Sequence, residues 1–259
     1  MFKQTLIAIS ISAFSTFSFA NTCDLLPNHQ QLTSALKSVV ATTSDEKNGG
    51  LELNMWGTLV GRDGTVCAVT YTGENYGEQW LGSRVISAQK ANTANAFSLP
   101  NLALSTANLW TATQPGGSLF GLQFSNPVDT SVAYSGKAKY FGQKNDPMIG
   151  ERIGGVNVFG GGLALYNAKG EVVGALGVSG DTSCADHNIA WKTRNALKLD
   201  YVPGGVSETK DDNIIYSEGN GFAHANYGNG EAEVAKELPK SHPITNKEKV
   251  KSKKGLKVK

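Results

Sequence analysis

The sequence predicts an α+β fold, one antiparallel sheet with helices packed over one face. Two observations carry this. Two segments read as β-hairpins with tight turns, and the segments around and between them have helical spacing. The order is helix, hairpin, helices, hairpin, helix. A chain of 259 residues, 40% hydrophobic and 18% charged, is long enough for one ordinary domain with its own core.

The first helix is expected in "LLPNHQQLTSALKSVVATT", where Leu32, Leu36 and Val39 or Val40 form one apolar stripe; "DEKNGG" ends it. "LELNMWGTLV" alternates, placing Leu51, Leu53, Met55 and Leu59 on one face. The turn "GRDG" and the strand "TVCAVTYTG" complete the first hairpin. Ser83 is expected to cap "RVISAQKANTANAFS", with Ile86, Lys90, Thr93 and Phe97 on one stripe. Pro100 stops that helix, and "NLALSTANLWTAT" reads as a shorter one. From Gln114 to Gly155 the chain is rich in Gly, Pro, Asn and Ser and is expected to be irregular. The second hairpin, "VNVFGGGLALYNAKGEVVGALGVSG", turns at Asn167 to Gly170. A last helix runs from Ser183 to Leu199, and after Pro203 the chain reads as loop and tail.

Three regions follow from this pass: 1–20, 21–203 and 204–259. Residues 1–20 read as a signal peptide: Lys3, then the apolar "LIAISISAFSTFSF", then "SFA" before Asn21. No other stretch has the length and apolarity of a membrane span. The mature chain is therefore expected to start at Asn21 and to be soluble, periplasmic or secreted. Export makes one disulfide the expected state of Cys23, Cys67 and Cys184, with one thiol left over. Cys23 with Cys67 is the first choice, since it ties the new N-terminus to the sheet; the other pairings stay open. The tail Lys236–Lys259 holds nine Lys and two Glu, about +7. The rest, without Lys3, has 14 basic and 20 acidic residues, about −6. A basic tail on an acidic body argues against nucleic-acid binding, and the tail is expected to be disordered and dispensable. Uncovered sheet surface predicts a homo-oligomer.

Several chemistries are excluded. No strand leads into a G-x-G-x-x-G helix, and no P-loop Lys-Ser/Thr is present. "GVSGD" lacks the last Gly of a nucleophile elbow. Isolated cysteines do not make a structural zinc site, and no C-x-x-C-H offers covalent haem attachment.

"GGLALYNAKGEVVGALGVSGDTSCADHNIA" resembles the closing hairpin-helix of the GlcG/HbpS family of haem-binding proteins, which is related to the PduO C-terminal domain. The matching residues are Gly161, Gly162, "VGALGVSG" from Val173 to Gly180, Thr182 and Asp186. "SAQKANTANAF" resembles the family's A-x-x-K-A-x-T-A helix, and the Asp63–Gly64 turn fits its first hairpin. The resemblance covers about Leu32 to Leu199. It implies a profilin-like antiparallel sheet with flanking helices, frequent oligomerisation, and haem or a related ligand in some members. The loop at 114–155 and the extension after Asp200 depart from the shared core.

Under that resemblance the expected function is an exported, non-catalytic haem- or porphyrin-binding protein. The alternative is a sensor or enzyme-accessory domain for a small organic acid. Two readings of His187 compete. It shares a helical stripe with Trp191, Arg194 and Lys198, so it could point toward a groove and ligate haem iron, with Arg194 near a propionate. It could equally be a surface histidine at a helix start. Should haem bind, His187 is the first candidate ligand and His29 the second. Lys90 either reaches an anionic ligand group or snorkels over the core. Thr93 is either a pocket hydroxyl or a cap on a helix carbonyl. Thr182 or Ser183 caps the last helix, with Asp186 in a capping-box role. His224, His242, Asp211 and Asp212 read as solvated.

Overall fold

Small residues decide how closely this fold packs. The computed structural model describes residues 21–245. The predicted signal peptide, and the tail beyond 245, lie outside the described residues. Four strands form one antiparallel sheet: β1 (Trp56–Gly61), β2 (Val66–Tyr71), β3 (Gly162–Tyr166) and β4 (Val172–Ser179). Their spatial order is β2-β1-β4-β3, so the last strand in the chain lies between β1 and β3. Both predicted hairpins and their turns are present. The first strand begins only at Trp56, so Leu51 and Leu53 lie before it. A bulge between Leu59 and Val60 lets Val66 and Val69 share one face of β2.

Seven α-helices accompany the sheet among the described residues. They are α1 (His29–Lys37), α2 (Ser83–Phe97), the single turns α3 (Trp110–Thr113), α4 (Leu122–Ser125) and α5 (Thr130–Ala133), then α6 (Ser183–Ala196) and α7 (Glu231–Ser241). The α+β class holds, but helices cover both faces of the sheet. Trp56 and Val60 of β1 pack with Ala88 and Ala91 of α2. On the other face Leu59, Leu176 and Val178 pack with Leu32 and Leu36 of α1, Ile189 and Trp191 of α6, and Leu238 of α7. The expectation of an open sheet face therefore fails, and with it that argument for a homo-oligomer.

The predicted stripe on α2 is also displaced. Its sheet-facing residues are small: a Cβ at Gly177 would overlap the Ser87 carbonyl, and one at Gly162 the Lys90 carbonyl. Helix and sheet touch backbone to backbone there, and the Thr58 and Ser87 hydroxyls meet at 2.7 Å. Gly82, without a side-chain bond, occupies the N-cap, and Ser83 is the first helical residue. Asn28 caps α1 through a full capping box with Gln31.

The largest departure lies after Pro203. The segment 211–215 is buried, and α7 packs on α6 with Ala235 and Leu238 in the core. The carbonyl of His242 accepts the Trp191 indole N–H at 2.8 Å. The tail up to residue 242 is thus part of the body. The 114–155 segment is irregular as expected, apart from α4, α5 and one 3₁₀ turn. Cys23 and Cys67 form the expected disulfide, and Cys184 is a buried free thiol.

Candidate functional site

The α6 residues singled out from sequence come together, but inside the core. Thr182 caps the helix by accepting the Ala185 amide. Asp186 accepts the Asp181 amide at 2.9 Å and pairs with Lys90 at 2.6 Å, both side chains fully buried. Lys90 also donates to the Val178 carbonyl at 3.1 Å. It does not snorkel over the core but ends inside it. Burial pushes the Asp186 carboxyl up to about 6 and the Lys90 ammonium down. Thr93 donates to the Gln89 carbonyl and accepts the Asn157 amide, so it is the carbonyl cap.

His187 is wholly buried, and both outward readings are corrected. Its Nε2 lies 3.2 Å from Asn213 Oδ1 and 3.1 Å from the Ile214 amide nitrogen. Its Nδ1 has no partner. A Cβ at Gly160 would come within 3.1 Å of the His187 Cβ, so the Gly160 backbone packs directly on this part of α6. Trp191 is core, and Arg194 makes a bidentate pair with Asp212 at 2.6 and 2.7 Å. Asp211 and Asp212, read as solvated, are buried. So is His224, whose Nδ1–H donates to the Ala225 carbonyl while Nε2 accepts from the Gly160 amide and Ser183 Oγ. His242 is partly buried beside Glu46. The sequence carried one sign of this: "NIIY" after the Asp pair is an apolar run that a solvated loop would not need.

Burial pushes His187 down to about 3 and His224 down to about 4. Both are neutral in the folded protein and take up a proton near pH 6.5 when unfolded. Their stabilisation is present above pH 6.5 and is lost as pH falls toward 4. His187→Asn, which removes one of the two groups, should flatten the fall of the thermal midpoint between pH 7 and 4. Midpoint curves of wild type and variant check this, and parallel curves would refute it.

His29 is the remaining candidate, and it lies at the surface. It starts α1 and edges a shallow cleft of about 260 Å³ lined by Thr33, Lys37, Tyr71, Glu74 and Gln143. Its ring is half-buried, and Nε2 meets the Gly142 carbonyl at 2.8 Å. The Thr33 hydroxyl bonds Thr70 at 2.6 Å, and Gln143 donates to the Tyr71 hydroxyl at 2.6 Å. His224 also lines a cleft, one of about 450 Å³ beside Trp110 and Tyr216, but its ring nitrogens are taken by the Ala225 carbonyl, the Gly160 amide and Ser183.

A family model described as "Haem degrading protein HbpS-like" matches residues 50–194, more than half of the chain. The chain belongs to the HbpS-like family. Among curated proteins none matches it. Solved structures similar to this HbpS-like chain include the Klebsiella pneumoniae protein ORFY, at 24% identity over 65% of this chain and 86% of that one, TM-score 0.43. Another is PduOC in complex with haem, at 24% identity over 67% and 96%, TM-score 0.45. Streptomyces reticuli HbpS is similar at 14% identity over 75% and 99%, TM-score 0.41. The family match contains Lys90, Thr93, His187, Trp191 and Arg194, together with Tyr71 and Gly142 of the cleft. His29 lies before it.

Proposed function

We propose that this HbpS-like chain is an exported haem- or porphyrin-binding protein, and that His29 is its iron ligand. The observation that carries the reading is the His29 cleft, which offers an imidazole, the Tyr71 ring and the Lys37 cation together. A bound haem would supply an iron centre for the imidazole, and Lys37 a partner for a propionate. The cleft is smaller than the roughly 300–1,000 Å³ of an enclosed ligand pocket, so a porphyrin held by His29 would stand largely outside it. Export is supported by the Cys23–Cys67 bond, a pairing that persists in oxidising compartments. Self-association belongs to the same reading. Its support is the exposed Phe120, Phe124 and Tyr134 of the 114–155 segment.

Haem titration of the full mature chain tests the proposal. A Soret band should appear in wild type. In His29→Ala it should shift, and affinity should fall by an order of magnitude or more, on the order of 1–3 kcal/mol. His187→Asn should keep the band. The non-catalytic part of the reading predicts that the band persists under a reductant and oxygen; bleaching would instead show haem degradation. A His29→Ala spectrum identical to wild type would overturn the assignment.

A further inference from the structure

The segment after Pro203 does more than close the core. Residues 216–226 form one wall of the cleft of about 450 Å³ beside Trp110. That volume lies in the roughly 300–1,000 Å³ range of small-molecule sites. Residues 216–226 also lie beyond the family match, so this wall is an addition to the HbpS-like core.

Three aromatic residues line the cleft: Trp110, Tyr216 and His224. The Trp110 and His224 rings lie 5.5 Å apart and are tilted by 39°. Tyr216 is partly exposed, but its hydroxyl is buried and offers the cleft no donor. The His224 ring nitrogens are likewise engaged within the protein. Burial pushes His224 down to about 4, so its ring brings no positive charge at neutral pH. Among the described residues no Lys or Arg lines the cleft, and Glu218 on its exposed rim is the one charged group.

The wall is held in place. The Thr111 amide and hydroxyl both donate to the Ala223 carbonyl, at 3.2 and 2.6 Å. The His224 amide donates to the Ile215 carbonyl at 2.7 Å. A ligand would therefore spend little of its binding energy on ordering these residues. The same composition limits which ligand fits. An anion, a haem propionate included, finds no cation here. A quaternary ammonium needs no hydrogen bond, only apolar contact and the negative potential of ring faces and a carboxylate.

We infer that this cleft binds a small organic cation of the substituted-ammonium class, with Trp110 and Tyr216 against its alkyl groups and Glu218 balancing its charge. The inference stands apart from the haem reading and shares no residue with the His29 cleft.

Isothermal titration of the full mature chain with choline tests it. Saturable binding is expected, with Kd of about 1 mM or tighter. The uncharged alcohol in which carbon replaces the choline nitrogen keeps the shape and loses the charge. It should bind about tenfold more weakly or worse. Trp110→Leu should weaken choline about three- to thirtyfold, the scale of one cation–π contact. Glu218→Gln, on the exposed rim, should weaken it about two- to fivefold, and that difference should fade at high salt. If Trp110→Leu does not fold, Glu218→Gln and the uncharged alcohol decide. Equal binding of choline and the alcohol overturns the inference, as does no choline binding at about 10 mM. Tighter binding of acetate or glucose than of choline overturns it too. A chain that takes up no haem but binds choline in this pattern fails the haem reading and supports this one.

Discussion

A chain ending at Asp200 should fail to fold. The cut removes Asp212, which leaves Arg194 charged and unpaired in the core. Breaking a buried pair in this way costs about 3–5 kcal/mol. It also removes α7, whose Leu238 is fully buried against α6, and losing one such side chain costs about 2–5 kcal/mol. The acceptors for Trp191 and for Asn108 Nδ2, the carbonyls of His242 and Asn213, are lost as well. These losses together match the roughly 5–15 kcal/mol that holds a whole domain folded. Circular dichroism and limited proteolysis of the truncated chain should show no cooperative transition. A chain ending at Thr245 keeps every one of these contacts and is the control. If the shorter chain melts cooperatively within a few degrees of that control, the extension is an accessory and this account is wrong.

Lys90→Met should destabilise the protein by about 3–5 kcal/mol at pH 8, because Asp186 then stands ionised in the core with only the Asp181 amide for company. The loss should be smaller at pH 4. Burial already lifts the Asp186 carboxyl to about 6 with Lys90 present, and removing the ammonium lifts it further. A carboxyl raised in the folded state contributes stability below its unfolded value near 3.8 and loses it as pH climbs through the folded one. The thermal midpoint of Lys90→Met should therefore fall more steeply than that of wild type between pH 4 and 8. Adding Asp186→Asn should recover most of the loss at pH 8. A pH-independent deficit would mean that Lys90 matters through packing alone.

Periodicity and turn chemistry made the sheet legible. The Asp63–Gly64 and Asn167–Gly170 turns and the strands around them lie where the sequence puts them, because local backbone preferences fix such turns. Burial was less legible. α2 meets the sheet through Ser87 and Ala91 because Gly162 and Gly177 admit its backbone, so its deepest face carries no large apolar residue to betray it. Charged and polar residues misled for a related reason. Lys90, Asp186, Arg194 and Asp212 are in the core because each has its partner there, and the partners lie 96 and 18 residues apart in sequence. Pairing at such a distance leaves no local pattern. His29 was named on its position ahead of α1, while the Gly142 carbonyl opposite it is 113 residues away.

The position of β4 sets a timetable for assembly. This strand is the last of the four to be synthesised, yet it is the one that joins β1 to β3. Until residue 179 emerges, β1 is paired on one side only, and the backbone contact of α2 with Gly177 cannot form. A chain crossing a membrane in order, N-terminus first, would therefore spend most of its transit with the apolar edge of β1 uncovered. Such non-local strand pairing is slow to form and prone to aggregate. The late arrival of α6 and α7 then closes the second face in the same step that buries Arg194 and Asp212 together. Assistance from a holding chaperone would matter most in that interval, before the C-terminal third arrives to complete the sheet.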